Sequence, residues 1–230
     1  MIVSKHTKFD DLTVSLVKNG NNLKLKTWLS PVVVYNIYIT HPDQYKSWLE
    51  YELRVCSNFC EFRGDKSGGC YVKNMPFSVN SVRKSKQASF SLLPGLYSLR
   101  ATAHGDIDRL NGEGRQFILD LLMNAHEVRG YTAGWRSPEM QVFRPYLMAS
   151  SYNQKARHEA KKLGWSTYRY QGTNESREKG EYACTVLGDK DPSERLRGCF
   201  NCQTPCAGAL AGFDVISPDK KRIIERRMNK

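Results

Sequence analysis

Between residues 97 and 170 the apolar period switches repeatedly between two and about 3.6 residues, and this alternation confines the chain to an α/β plan. Residues 97–103 (YSLRATA) read as a strand that ends at His104-Gly105-Asp106. Residues 112–128 follow as an amphipathic helix with Phe117, Leu121 and Leu122 on one face. Residues 130–135 and 146–150 read as short strands, 153–163 as a charged helix stopped by Gly164, and 165–170 as another strand. Strands joined through helices must cross over, so a parallel sheet, curled into a partial (β/α) barrel, is expected. Upstream, residues 23–29 and 32–40 read as strands, and 42–53 as a helix with Tyr45, Trp48, Leu49 and Leu53 on one face. Residues 54–78 break the pattern and read as a loop, while 80–93 suit a polar helix closed by Pro94-Gly95. The organisation expected is N-terminal strands and a first helix over 1–53, an α/β core over 54–208 and a basic tail over 209–230, together one compact domain.

Seven cysteines fall into two groups. Cys56, Cys60 and Cys70 are spaced Cys-x3-Cys-x9-Cys on the long loop; Cys184, Cys199, Cys202 and Cys206 form a Cys-x14-Cys-x2-Cys-x3-Cys run near the C-terminus. No stretch of about 20 apolar residues predicts a membrane span, and the first residues show no secretory pattern, so a cytoplasmic setting is expected. In a reducing compartment, clustered thiols bind metal more often than they pair. Four cysteines satisfy a closed site, either a 4Fe–4S cluster or tetrahedral zinc. Three leave one position open, where a substrate or cofactor can bind. One or two iron–sulfur clusters would use all seven cysteines; zinc is the alternative.

The charge points to a class of partner. Thirty-five Lys and Arg against 23 Asp and Glu leave +12, and residues 217–230 are rich in Lys and Arg. Nucleic acid is the expected partner of such a surface, although a terminal run of charge also suits a solvated, frayed helix. His104 and Asp106 sit at a predicted strand end, where α/β sites gather, and are the candidate catalytic residues. Arg136 follows another strand end, with a guanidinium able to grip a carboxylate or phosphate. His126 and His158 lie in charged helical stretches and read as solvated.

A three-cysteine loop opening an α/β run, a strand ending in Ala103-His104-Gly105-Asp106 and a four-cysteine run closing the chain resemble the radical S-adenosylmethionine (SAM) plan with an auxiliary cluster. Cys70-Tyr71, Gly105-Asp106, Tyr131-Thr132 and the run from Cys184 to Cys206 more closely resemble the phage gene 88 protein family, over about residues 54–208. The resemblance implies a phage- or plasmid-type iron–sulfur protein. In it Cys56, Cys60 and Cys70 hold a cluster whose open iron binds SAM, and Gly105, Asp106 and Arg136 contact that cofactor, Asp106 as partner of its ammonium. This sequence departs from the superfamily in two places: its cysteine loop is seven residues longer than the usual Cys-x3-Cys-x2-Cys, and His104-Gly105-Asp106 stands where Gly-Gly-Glu is usual. The competing expectation is a zinc-stapled, basic, nucleic-acid-binding protein acting in replication or regulation.

Overall fold

The computed structural model describes residues 1–18, 33–42, 48–61, 63, 65–66, 81–82, 84–170, 175–183 and 214–217. Its elements are β1 (Ile2–Ser4), β2 (His6–Phe9), β3 (Leu12–Lys18), β4 (Val33–Thr40), α1 (Trp48–Val55), β5 (Ser89–Ser91), β6 (Tyr97–His104), α2 (Gly112–Met123), β7 (Glu127–Arg129), β8 (Tyr131–Thr132), β9 (Met148–Ser151), α3 (Gln154–Lys162), β10 (Thr167–Tyr170), β11 (Glu181–Ala183) and β12 (Asp214–Ser217). One five-stranded sheet has the order β2-β3-β4-β6-β7, the other β11-β12-β10-β9-β8, and β1 pairs with β5. In the first sheet β2, β3 and β4 are antiparallel neighbours and β4, β6 and β7 run parallel; the second sheet is parallel throughout. The fold is therefore mixed α/β, and neither sheet closes into a barrel. The expected all-parallel sheet is corrected at its N-terminal end, where a two-residue turn at Asp10 and Asp11 makes β2 and β3 a hairpin instead of a crossover.

The two sheets run into one another. Only Gly130 separates β7 from β8, and Thr102 Oγ1 on β6 donates to the Tyr131 carbonyl at 2.5 Å. Thr102 lies at φ +54°, where the register between β4 and β6 shifts. This bulge redirects β6 so that it reaches across to β8. Read across both sheets, the parallel strands from β4 through β6, β7–β8 and β9 to β10 lie in chain order. One core covers one side of them. Tyr51 and Val55 of α1, Ile118, Leu121 and Leu122 of α2, and Ala156 and Ala160 of α3 pack with Leu16, Ile37, Ile39, Leu99, Val128 and Ala149. That core joins the stretches expected as an N-terminal unit and an α/β core.

Local chemistry explains the helix starts. Asn111 accepts from the Gly114 N–H and Asn153 from the Ala156 N–H, both at 2.8 Å, each satisfying an otherwise orphaned donor of the first turn. Several expectations shift. Helix α2 ends at Met123, and Glu127–Arg129 is a strand, which places His126 in the turn between them. Ser89–Ser91 is a strand where a polar helix was expected, because Ile2–Ser4 supplies it with an antiparallel partner. In α1 the buried apolar residues are Tyr51 and Val55, whereas Leu49 and Leu53 are exposed. The expected strand at 23–29 lies outside the described residues, as does the tail expected over 209–230 apart from Asp214–Ser217, which pairs as β12 between β10 and β11. No helix among the described residues is long and apolar enough to cross a membrane.

Candidate functional site

Three loops meet at the C-terminal ends of β6 and β8. The first leaves α1. The Cys56 N–H still donates to Glu52 O, so Cys56 stands on the last turn of helix, and successive turns then run from Ser57 to Cys60, Cys60 to Arg63 and Arg63 to Lys66. The loop is folded around Arg63, a buried side chain. Its guanidinium makes a two-pronged contact with Asp65 (2.6 and 2.7 Å) and donates to Asn58 Oδ1 at 2.7 Å. Cys56 and Cys60 are half-buried, neither is in a disulfide, and both lie within electrostatic reach of that guanidinium. A fixed cation beside thiols favours the thiolate, the form that ligates metal.

The second loop follows β6. It is tied to the first by the Asp106 N–H donating to Val55 O at 2.8 Å and by Ser57 Oγ donating to Asp108 Oδ2 at 2.6 Å. Gly105 carries the turn at φ +77°. A third tie joins the loop to β8: Thr132 Oγ1 donates to Asp106 Oδ1 at 2.6 Å and the Ala133 N–H to Oδ2 at 2.7 Å. The β8 loop also packs closely on Asp108, since a Cβ on Gly134 would lie 2.4 Å from Asp108 Cβ. The ties at Val55 and Ser57 set the start of the cysteine loop against the Gly105–Asp108 turn.

These groups are held in unusual protonation states. Burial, reinforced by the nearby Asp108 carboxyl, pushes Asp106 up to about 7 against its hydrogen bonds. Burial also raises Asp108, opposed by the Ser57 hydroxyl; its Oδ1 is buried with no hydrogen-bond partner among the described residues. His104 is buried and stacked on Tyr51, ring centroids 5.6 Å apart, and burial holds it down to about 4. Chemically the site offers a neutral imidazole and a carboxyl pair that shares charge reluctantly, the usual mark of a functional locus. Asp106, engaged through both oxygens, positions the β6 and β8 loops. Asp108 is the carboxyl with an oxygen to spare.

His104 and Asp106 pull stability in opposite directions with pH. A lowered histidine costs stability as pH falls from about 6.5 towards 4, whereas a raised carboxyl costs stability as pH rises from about 3.8 through 7. Over the shared window the two slopes oppose one another. Asp106→Asn can keep both contacts, because an amide oxygen accepts from Ala133 and its NH2 can donate to Thr132. The expected result is urea stability that rises between pH 4 and 6.5 by about 3 kcal/mol more in the variant than in the parent. Equal slopes in the two proteins would show that Asp106 titrates normally.

The remaining candidates are placed as follows. Arg136 lies 3.9 Å from the Trp135 ring centroid and donates to Glu159 Oε2 at 2.8 Å, so its cation is engaged within the fold at the β8 end. His158 meets Glu178 at 3.0 Å. Cys70, Cys184, Cys199, Cys202 and Cys206 lie outside the described residues, although Cys184 directly follows the end of β11. Among the described residues no three His, Cys, Asp or Glu side chains converge to hold a metal ion. The sequence reading also missed a buried ionic network. Arg169, fully buried, forks onto Glu181 with two contacts of 2.7 Å and reaches Glu175 at 2.6 Å, while Arg157 of α3 meets Glu178 and Glu181. Alternation along β10 could have flagged Arg169, which shares its strand face with Thr167 and not with the tyrosines. Compared with protein-family models, curated proteins and solved structures, the chain matches none.

Proposed function

We propose that this chain is a metal-bearing protein of radical-SAM-like plan, akin to the gene 88 proteins. Cys56, Cys60 and Cys70 would hold an iron–sulfur cluster beside the β6 loop, and Cys184, Cys199, Cys202 and Cys206 a second site. The observation that carries this reading is the docking of the cysteine loop onto the loop after β6, through Asp106–Val55 and Ser57–Asp108. That junction lies at the C-terminal ends of strands that run parallel and in chain order from β4 to β10, the arrangement a partial (β/α) barrel requires. The donor set fits: two thiols share a loop with a buried cation, and soft thiolates select iron–sulfur clusters or zinc. A cluster held by three thiolates supplies one open metal position for SAM. The chain's own residues do the rest. Arg63 favours the thiolates, Asp106 fixes the β6 and β8 loops against each other, and Asp108 presents an unpartnered carboxyl oxygen, the group suited to the cofactor's ammonium.

The test is iron, sulfide and zinc per chain after oxygen-free purification, with a visible spectrum. The expected result is a brown protein with about eight irons, of which Cys60→Ala loses about four while the second site stays filled. Colourless protein containing zinc would replace the reading with the zinc-stapled one, and metal-free protein would end both. Given iron, SAM binding that survives Asp108→Asn would overturn the role given to Asp108.

A further inference from the structure

Half of the large apolar side chains that are exposed among the described residues gather at one end of the molecule. Strands β1 and β5 form a two-stranded ribbon there, with Ile2 opposite Ser91 and Ser4 opposite Ser89. Val3 turns into the core, so its neighbours Ile2 and Ser4 turn outward, and Ile2 is 82% exposed. Beyond the ribbon the Leu92 N–H donates to Met1 O at 2.8 Å, and Leu93-Pro94-Gly95-Leu96 then turns back, the Leu96 N–H donating to Leu93 O at 3.0 Å. The Gly95 N–H donates to Asn124 O at 2.9 Å, which sets this turn against Met123 at the end of α2. Met1, Ile2, Leu93, Leu96 and Met123 are all exposed, the last two 60% each.

The setting of these side chains says what they meet. All four residues of the turn are exposed, and a Cβ on Gly95 would find nothing within 4 Å, so the turn projects as an apolar tip and lines no groove. Exposed apolar patches of this kind mark contacts with proteins or membranes. Cations stand at the other end of the ribbon, about 13 Å away: Lys5, whose N–H donates to Ala88 O, and the exposed Lys84 and Lys86. Between tip and cations lie only the small, exposed Ser4, Ser89 and Ser91 on the outward face. The carboxylates near Met123 are engaged, Asp120 by Gln116 at 2.8 Å and Glu127 by Arg129 at 2.7 Å. An apolar tip with a basic flank matches an anionic lipid surface. A second copy of the chain matches less well, because two projecting tips offer each other no groove and +12 on each chain repels.

We propose that this end of the molecule docks on a membrane surface bearing anionic lipid, as a peripheral contact and not a span. Ile2, Leu93, Leu96 and Met123 enter the boundary between headgroups and acyl chains, and Lys84 and Lys86 meet the headgroup phosphates. Leu96 leads directly into β6, whose far end at His104 carries the candidate site, about 23 Å away. Docking by the tip therefore turns that site away from the lipid and leaves it open to its ligands. The inference uses none of the cysteines and stands or falls apart from the metal reading.

The experiment is co-sedimentation of the full chain with vesicles of about three parts phosphatidylcholine to one part phosphatidylglycerol, and with vesicles of phosphatidylcholine alone, over a salt series. Binding to the anionic vesicles is expected to be at least about tenfold tighter. Leu93→Ser with Leu96→Ser is expected to weaken it about tenfold at unchanged net charge, whereas Val142→Ser, at an exposed apolar position outside the tip, leaves it within about twofold. Lys84→Gln with Lys86→Gln is expected to weaken it about tenfold and to flatten its salt dependence. Circular dichroism melts separate loss of binding from loss of fold, and Leu96→Ser alone serves where the double leucine variant does not fold. Four results would each overturn the proposal: no binding, equal binding to the two kinds of vesicle, binding indifferent to the leucine substitutions, or a dimer, seen by light scattering, that those substitutions dissociate.

Discussion

Arg169→Met is expected to cost about 3–5 kcal/mol, the largest effect of any single polar substitution predicted for this chain. The reason is what it leaves behind. Glu181 is fully buried and accepts two 2.7 Å bonds from the Arg169 fork, with one more from the Glu178 N–H at 2.8 Å. Burial alone would raise the Glu181 carboxyl, but the Arg169 hydrogen bonds, the Glu178 N–H and the Arg157 charge outweigh it and hold the group below its ordinary range. Removing Arg169 strands that charge and frees Glu175 and the Ser176 carbonyl, which the same guanidinium pins. Residues 175–181 then lose their attachment to β10. Urea unfolding should show the loss as a lower midpoint, with a thermal midpoint lower by roughly 10 °C. Replacing both partners, Arg169→Met with Glu181→Leu, should recover most of the loss, because no buried charge remains unpaired. A double variant no more stable than Arg169→Met alone would show that the damage is to packing and not to charge. Since Glu181 is held low, the network's stabilisation is present above the ordinary glutamate range and is lost as pH falls through the folded value.

Gly105→Ala is the second large effect, and Gly95→Ala is its control. Both glycines have positive φ, +77° and +73°. At Gly95 an added Cβ meets nothing within 4 Å, so only the backbone penalty of about 1 kcal/mol applies. At Gly105 the Cβ would lie 2.6 Å from Ile39 O and 2.7 Å from Ile39 Cβ, on the neighbouring buried strand. That contact cannot relax by rotating a side chain, so about 3 kcal/mol or more is expected in total. The loop must move, and the Asp106 N–H bond to Val55 O, which ties the cysteine loop to the β6 loop, moves with it. Hydrogen exchange at the Asp106 amide should therefore quicken in Gly105→Ala and stay unchanged in Gly95→Ala. Equal destabilisation of the two variants would mean that the approach to Ile39 is softer than the backbone positions imply.

Much of the α/β order was legible from the residues alone. Helix α2 has an apolar stripe, and Asn111, Asn153 and Gly164 punctuate the chain where helices begin and end. Those signals are local, so a chain read in short windows contains them. The end of β6 was legible as a site position for the same reason: Gly105-Asp106 after a strand ending in small residues breaks the period where α/β loops gather.

What required tertiary structure were the partners. Ser89–Ser91 became a strand because the chain's first residues pair with it, across more than 80 positions. Leu49 and Leu53 carry the hydrophobicity expected of a buried face, yet the packing surface met by α1 selects Tyr51 and Val55. Asp106 and Asp108 look alike in sequence. Only the meeting of three loops makes one a fully engaged tie and leaves the other with an open oxygen. The sequence by itself determined the alternation of strands and helices and the residue types at the strand ends, because periodicity and capping act over a few residues. Sheet order and the displaced protonation states of His104 and Asp106 were decided by the tertiary structure, because register and desolvation depend on neighbours distant in the chain.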